Sequence, residues 1–284
     1  MLRLVVLASS LVLSACVAGN PLAGALVRPM RVPVVGAPDG PHEAFEVVAA
    51  DGVKLDTWLL TPAGEVRGLV AFVHGKDINR QHFLGPAKRF LAKGLAVVAH
   101  DQRAHGRSGG EFVTYGAKEV GDLRLVLDAA LARLGKPSLP VALVGESLGA
   151  AVVLQAAPED ARVRAVCAGA PFADLATVIR EKAPGFVSAD TTAESVKAAE
   201  AAAGFKVEDI SPERAAPRTT VPVMLLHGSE DNYLPLQHSM RIYAALAGPK
   251  ELVRLEGVKH IDILLQDASW DAIERFLAPV FAGP

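Results

Sequence analysis

Ser147, Asp231 and His260, met in that order along the chain, are the side chains whose types and surroundings suit nucleophilic chemistry. Ser147 lies in Gly145-Glu146-Ser147-Leu148-Gly149, between the apolar run Val141 to Val144 and a helix-forming run from Ala150 to Ala157. A serine hydroxyl is a poor nucleophile at neutral pH and needs a base to take its proton. Histidine serves when a buried carboxylate holds its tautomer and stabilises the imidazolium. A strand, a tight turn and a helix would push the Ser147 hydroxyl out above a sheet. Gly145 and Gly149, lacking Cβ atoms, would let strand and helix close around that turn. Asp231 follows the apolar run Val223 to Leu226 through His227-Gly228-Ser229-Glu230, and His260 follows Leu252 to Leu255 through Gly257-Val258-Lys259.

Each partner has a rival. Glu230 adjoins Asp231, and Asp174 follows the preceding apolar run, where an acid would also sit at a strand end. His238 is the alternative base, but it falls in a helical stretch and is expected at the surface. Asp262 is too close in sequence to His260 to orient it. Glu146 occupies the variable slot of the pentapeptide and is expected to hydrogen-bond around the turn while taking no proton from substrate.

The elements that must position these residues alternate. Ala44 to Ala50 and Val53 to Thr61 are β-branched, apolar runs around Asp51-Gly52, a hairpin signal. Gly68 to Val73 is a continuous apolar strand ending in His74-Gly75. Gln81 to Lys93 reads as a helix closed by Gly94, ahead of a buried strand at Leu95 to Ala99. Ala117 to Leu134 has helical spacing, with Val120, Leu123, Leu127 and Leu131 on one side. Strands at Val163 to Ala168, Val221 to Leu226 and Leu252 to Leu255 follow, with helices at Leu236 to Leu246 and Ser269 to Leu277. Strands alternating with helices after a hairpin indicate an α/β domain with a mostly parallel sheet covered on both faces. About 173–218 is longer than a usual connection and Ala-rich, as lids and binding loops are. It is read as a small helical cap, the alternative being one crossover helix with long flanks.

From about Ala44 to the C-terminus the chain resembles the α/β-hydrolase-fold serine hydrolases, nearest the monoacylglycerol-lipase-like and serine-aminopeptidase-like branch. The residues that carry the resemblance are His74-Gly75, the stretch from Asp101 through Arg103 and His105 to Ser108, the Ser147 pentapeptide, the His227 to Asp231 loop and His260. The resemblance implies acyl transfer to water through an acyl-enzyme on Ser147, with His260 moving the proton and Asp231 orienting His260. It implies an oxyanion hole from the backbone N–H groups of Leu148 and Lys76, and no cofactor or metal. His74, Gly75, Gly145, Gly149, Asp101, Arg103 and His105 would support the site structurally. The Lys76 ammonium would either attract an anionic substrate or face water. The implied activity is hydrolysis of small or lipid-derived esters. Peptide or amide hydrolysis and transfer to another alcohol use the same residues, and a non-catalytic binding module is the reading of another class.

The first residues read as a targeting segment. Met1-Leu2-Arg3 is a short positive stretch, and Leu4 to Leu13 is apolar but too short for an ordinary membrane-spanning helix. Leu13-Ser14-Ala15-Cys16 resembles a bacterial lipobox, which implies cleavage after residue 15, lipid on Cys16 and anchoring in the cell envelope. Val17 after the cysteine points to the outer membrane in a two-membrane bacterium. Gly19 to Pro41, rich in Gly and Pro, reads as a tether, part of which, such as Arg31 to Val35, would lie on the domain surface, so that 16–43 forms anchor and linker and 44–284 the catalytic domain. The net charge of -2 and the lack of a long basic block give no sign of nucleic-acid binding. The two cysteines, Cys16 and Cys167, build neither a disulfide framework nor a zinc site. Cys167 lies in an apolar strand and reads as a buried small hydrophobe.

Overall fold

A computed structural model describes residues 19–282; the apolar segment Leu4 to Leu13 and the lipobox cysteine Cys16 lie outside the described residues. The sheet has eight strands: β1 (His42–Val48), β2 (Lys54–Leu60), β3 (Gly68–Val73), β4 (Leu95–His100), β5 (Val141–Glu146), β6 (Val163–Gly169), β7 (Val223–Gly228) and β8 (Lys250–Leu255). Their spatial order is β1-β2-β4-β3-β5-β6-β7-β8. The β1–β2 hairpin and the β2–β4 pair are antiparallel, and all pairs from β4 to β8 are parallel. The carboxyl ends of β3, β5, β7 and β8 therefore open on one edge, the place where open α/β sheets bind ligands.

Both faces are covered, and the alternation along β5 shows how. Val141 and Leu143 point into a core shared with α3 (Glu119–Arg133) and α4 (Leu148–Ala156). Ala142 and Val144 point into the opposite core, against α2 (Leu84–Leu91) and α9 (Asp267–Leu277). In that second layer Phe72, Phe83, Phe90 and Trp270 pack ring on ring, with Phe72 and Phe83 stacked at 4.7 Å. Strands buried on both faces read as unbroken apolar runs, which is why β3, β4 and β5 were legible end to end.

Residues 173–218 carry helices α5 (Leu175–Lys182), α6 (Ala189–Ala203) and α7 (Pro212–Ala215), joined by short 3₁₀ turns. Their apolar sides, with Phe172, Leu175, Ile179, Ala199 and Phe205, form a separate small core.

The tether expectation is corrected at residues 21–27, while Arg31 to Val35 lies against the domain as expected. Pro21–Val27 is a helix, α1, started by a proline at its first turn and by Asn20, whose side chain accepts from the Ala23 amide. Ala23 and Val27 are buried in the cap core against α6. Beyond α1 the strand-like stretch to Val34 is bound to the domain: Arg31 donates to the Gly106 and Gly110 carbonyls, and Asn79 Nδ2 donates to those of Val32 and Pro33. Leu22, Ala23, Leu26 and Val27 are spaced for one helix face; the surrounding Gly and Pro masked that signal.

Candidate active site

Ser147 stands between β5 and α4 with φ 52° and ψ −112°, a conformation that L-residues avoid unless the surroundings impose it. The flanking glycines impose it. A Cβ on Gly145 would lie 2.3 Å from the Gly149 carbonyl oxygen, and one on Gly149 would lie 2.0 Å from that of Val73. The Ser147 amide donates to the Gly169 carbonyl on β6 at 2.8 Å, tying the turn to the next strand.

Ser147 Oγ is 2.9 Å from His260 Nε2, and His260 Nδ1 is 2.7 Å from Asp231 Oδ2. The three sequence-selected residues thus meet at hydrogen-bonding distance from three strand-end loops. Asp231 is buried, and its other oxygen accepts from the amides of Tyr233 and Leu234 at 3.0 and 2.7 Å. Burial would raise its pKa, but the hydrogen bond and charge of His260, with the Leu234 amide and His227, outweigh it. The carboxyl is held below its ordinary range. A carboxylate kept ionised against Nδ1 leaves Nε2 free to accept the serine proton.

His227 was quoted within the β7 loop but assigned no role, and it shapes that loop. It is fully buried, with Nε2 donating to the Leu234 carbonyl and Nδ1 accepting from Ser239 Oγ, both at 2.8 Å. Burial lowers its pKa, so a neutral ring fills the turn that carries Asp231. A polar residue closing an apolar strand was the available signal.

The loop after β3 passes directly beside the nucleophile: a Cβ on Gly75 would be 3.5 Å from Ser147 Cβ. Two histidines hold this loop. His74 contacts the Gly75 carbonyl through Nδ1 at 2.7 Å and accepts from the Gln102 amide through Nε2. His105 contacts the Arg103 carbonyl through Nδ1 and accepts from the Asp77 amide through Nε2 at 3.2 Å. Both rings are therefore neutral Nδ1–H tautomers. Burial drives His74 well below its usual pKa and His105 down to about 4. Asp101 is sealed beneath the same loop, accepting from Arg80 Nη1 at 2.5 Å and from the Arg80 and Arg107 amides. Gly106 makes that closure possible, since a Cβ there would meet Asp101 Oδ2 at 2.1 Å. Arg103 grips Asp122 on α3 in a two-pronged contact at 2.7 and 2.8 Å. None of Asp101, Arg103 and His105 is among the cavity-lining residues.

The rivals are placed elsewhere. Asp174 caps α5 by accepting from the Thr177 amide and pairs with Arg241 at 2.7 Å. Glu230 is exposed. His238, expected at the surface, is buried: Nδ1 accepts from the Ala173 amide and Nε2 donates to Glu181 on α5. The cap covers the helix face that sequence periodicity assigns to solvent. Glu146 is also buried, its carboxylate 2.9 Å from His82 Nε2 at an angle outside hydrogen-bonding geometry. It makes an electrostatic contact with that ring. Cys167 is buried in β6, where desolvation raises its thiol pKa well above the usual value.

The Lys76 side chain is tied to α1. Its ammonium donates to the Ala25 and Leu26 carbonyls at the end of α1, at 2.8 and 3.4 Å. Those carbonyls have no partner within their helix. Burial lowers the Lys76 pKa, only partly countered by Asp77.

Ser147 and His260 open into a cavity of about 720 Å³ between the sheet edge and the cap. Its walls are mainly apolar: Leu22 and Leu26 from α1, Ile78, Phe172, and Leu175 and Ile179 from α5. The segment expected to be a linker therefore supplies one wall of the site.

An eight-stranded, mostly parallel open sheet with helices on both faces and a strained serine turn after β5 is the α/β-hydrolase fold. A family model described as serine aminopeptidase, S33 matches residues 64–196, a span that contains Ser147 and stops short of Asp231 and His260. The chain is 27% identical over 225 residues to an uncharacterized Bacillus subtilis protein, covering 76% of this chain and 72% of that one. It is likewise 27% identical over 233 residues to a monoacylglycerol lipase of Mycolicibacterium smegmatis, covering 70% and 81%. The solved Pyrococcus furiosus esterase Pf2001 superposes with a TM-score of 0.74 at 22% identity, over 89% of this chain and 99% of that one. These likenesses agree on the α/β-hydrolase fold.

Proposed function

We propose that this protein is a serine hydrolase that cleaves carboxylic esters with an apolar acyl group, by way of an acyl-enzyme on Ser147. The observation that carries the reading is the Ser147–His260–Asp231 relay opening into an apolar cavity of about 720 Å³. In the proposed reaction His260 Nε2 takes the Ser147 proton as Oγ attacks the ester carbonyl. The imidazolium, stabilised by Asp231, then protonates the leaving alcohol. Water repeats the sequence and frees the acid. The Leu148 amide, first in α4 and so without an intrahelical acceptor, and the Lys76 amide on the adjacent loop hold the oxyanion. The wall of α1 and α5 accepts the acyl chain, which makes monoacylglycerol-like and other lipid-derived esters the favoured class. By its lipobox the protein is exported and held in the cell envelope through Cys16.

Ester cleavage is favoured over aminopeptidase action by charge. Among the described residues lining the cavity the only carboxylate is Asp77, and its Oδ1 already accepts from the Met30 amide at 2.6 Å. Only Asp77 Oδ2 is left to meet a free α-ammonium, and the Lys76 and Lys182 side chains lining the same cavity would repel one. The test is a panel of p-nitrophenyl esters of increasing chain length beside aminoacyl anilides, run with the protein and with Ser147→Ala. Ester turnover rising with chain length and lost in the variant is expected. Preferential anilide cleavage would replace the ester reading, and turnover surviving in Ser147→Ala would overturn the mechanism.

A further inference from the structure

The mouth of the cavity carries side chains that a water-facing rim would not require. Phe186 is 91% exposed, Ile261 73% and Tyr233 53%. They are linked around the opening. Lys182, at the end of α5, lies over the Tyr233 ring at 4.9 Å, and that ring stands 5.0 Å from His260, whose neighbour is Ile261. Phe186 sits between Pro184 and Val187, both of which line the cavity. Exposed apolar residues gathered on one rim mark an interaction surface.

The N-terminal chain names the occupant. Cys16 is four residues from Asn20, so an anchor there lies within about 14 Å of the start of α1 even when fully extended. Asn20 in turn receives a hydrogen bond from Ser195 of α6, and Ser195 and Leu22 both line the cavity. The anchor is therefore a near neighbour of the cavity wall, and that wall encloses the same cavity whose mouth carries the apolar rim. A lipidated Cys16 on so short a leash would not let the domain hang free of the membrane. It would bring this side against the bilayer.

We propose that the rim formed by Phe186, Ile261, Tyr233 and Lys182 docks on a lipid bilayer, with the cavity mouth facing the membrane so that acyl substrates pass into it directly from the lipid. Phe186 enters the headgroup–acyl boundary, as aromatic residues on interfacial segments do, and Lys182 meets anionic headgroups. The proposal deepens the esterase reading for its substrate delivery, and its docking half stands apart from catalysis.

The full chain with its anchor, reconstituted in vesicles of phosphatidylethanolamine and phosphatidylglycerol, tests both halves separately. A Phe186→Trp variant reports depth, because the native Trp58 and Trp270 are buried away from a quencher in the lipid and the parent protein supplies their emission as a baseline. Lipids brominated on the acyl chain should quench the new fluorescence at least twofold more than they quench the parent protein; equal quenching overturns the docking. Phe186→Glu should lower hydrolysis of a long-chain monoacylglycerol in vesicles by about tenfold or more, the scale of burying one phenylalanine. Hydrolysis of soluble p-nitrophenyl butyrate should stay within twofold, since Phe186 does not line the cavity. Equal losses on both substrates, or none on either, would overturn delivery from the bilayer. Quenching in a protein that cleaves neither ester would sink the esterase reading and leave the docking intact.

Discussion

At the sheet edge, Ser147, Asp231 and His260 are held by main-chain atoms in close contact, while the cavity wall above them is joined to the domain by side-chain ties and a small apolar core. The serine turn is closed by carbonyls that would lie 2.0 and 2.3 Å from any Cβ added at Gly149 or Gly145. The Asp231 turn is filled by the neutral ring of His227. The cap and α1, by contrast, are joined to the domain beneath through His238–Glu181, Arg241 with Asp174 and Glu213, the Lys76 ammonium on α1, the Val113 amide donating to the Val27 carbonyl, and an apolar core that takes in Ala151 of α4. Close packing fixes reacting atoms to a fraction of an ångström, as chemistry demands.

The contrast predicts graded losses. Ser147→Ala should lower kcat by about a millionfold with the thermal midpoint unchanged, as loss of a nucleophile does in serine hydrolases. A residual rate above a thousandth of the parent, in a preparation free of contaminating esterase, would remove Ser147 from the chemistry. Asp231→Asn keeps the shape but favours the wrong His260 tautomer and should cost about ten-thousandfold. If Asp174→Asn costs as much, the two acids have been assigned wrongly.

Gly149→Ala tests the packing at the edge itself. Forcing a methyl against the Val73 carbonyl should destabilise the protein by about 3 kcal/mol, at the upper end for overpacking, and should lower the denaturation midpoint accordingly. A change below about 0.5 kcal/mol would mean that the turn is looser than its contacts indicate. On the wall side, Lys76→Met should act weakly. Losing a partly buried charged hydrogen bond should cost about 1 kcal/mol and raise KM for long-chain esters several-fold, with kcat nearly unchanged and Lys76→Arg restoring most of it. A collapse of kcat would place the side chain in the chemistry, and a selective loss on anionic esters would revive its role as an anion attractor.

Acidity should also act first on the buried frame. Burial lowers the pKa of His105 and of His100 on β4 from 6.5 to about 4, so the folded protein keeps both rings neutral where the unfolded chain would protonate them. A folded-state pKa below the unfolded value gives stability that is present above about pH 6.5 and lost as pH falls towards about 4. Asp231, held below its usual range, adds a loss at still lower pH. Urea midpoints should therefore decline between pH 7 and 4; a flat profile would mean that the rings are charged or the loop open in the folded state.

Much of this was legible along the chain because it is local. Apolar runs buried on both faces name their own strands, and the two glycines around Ser147 report a crowded turn whatever the rest of the fold does. The order of serine, acid and histidine, each just past a strand, narrowed the reacting residues further. The cavity wall was not legible. Gly and Pro around Leu22 to Val27 read as a linker because the residues that share its core, among them Phe172 before α5 and Ala199 and Ala203 of α6, lie more than a hundred positions away. His238 reads as a surface residue for the same reason: the helix period shows which face is polar, and only the cap decides that this face is covered.

What the sequence alone determined is the set of candidate atoms for the proposed reaction and the strands that deliver them, because strand period and glycine geometry act over a few residues. What the tertiary structure decided is the company they keep: Asp231 over Asp174 beside His260, Lys76 on the end of α1, and a segment from the N-terminus folded back as the wall of the site. Those outcomes depend on distances through space between segments far apart in the chain, and no local pattern encodes them.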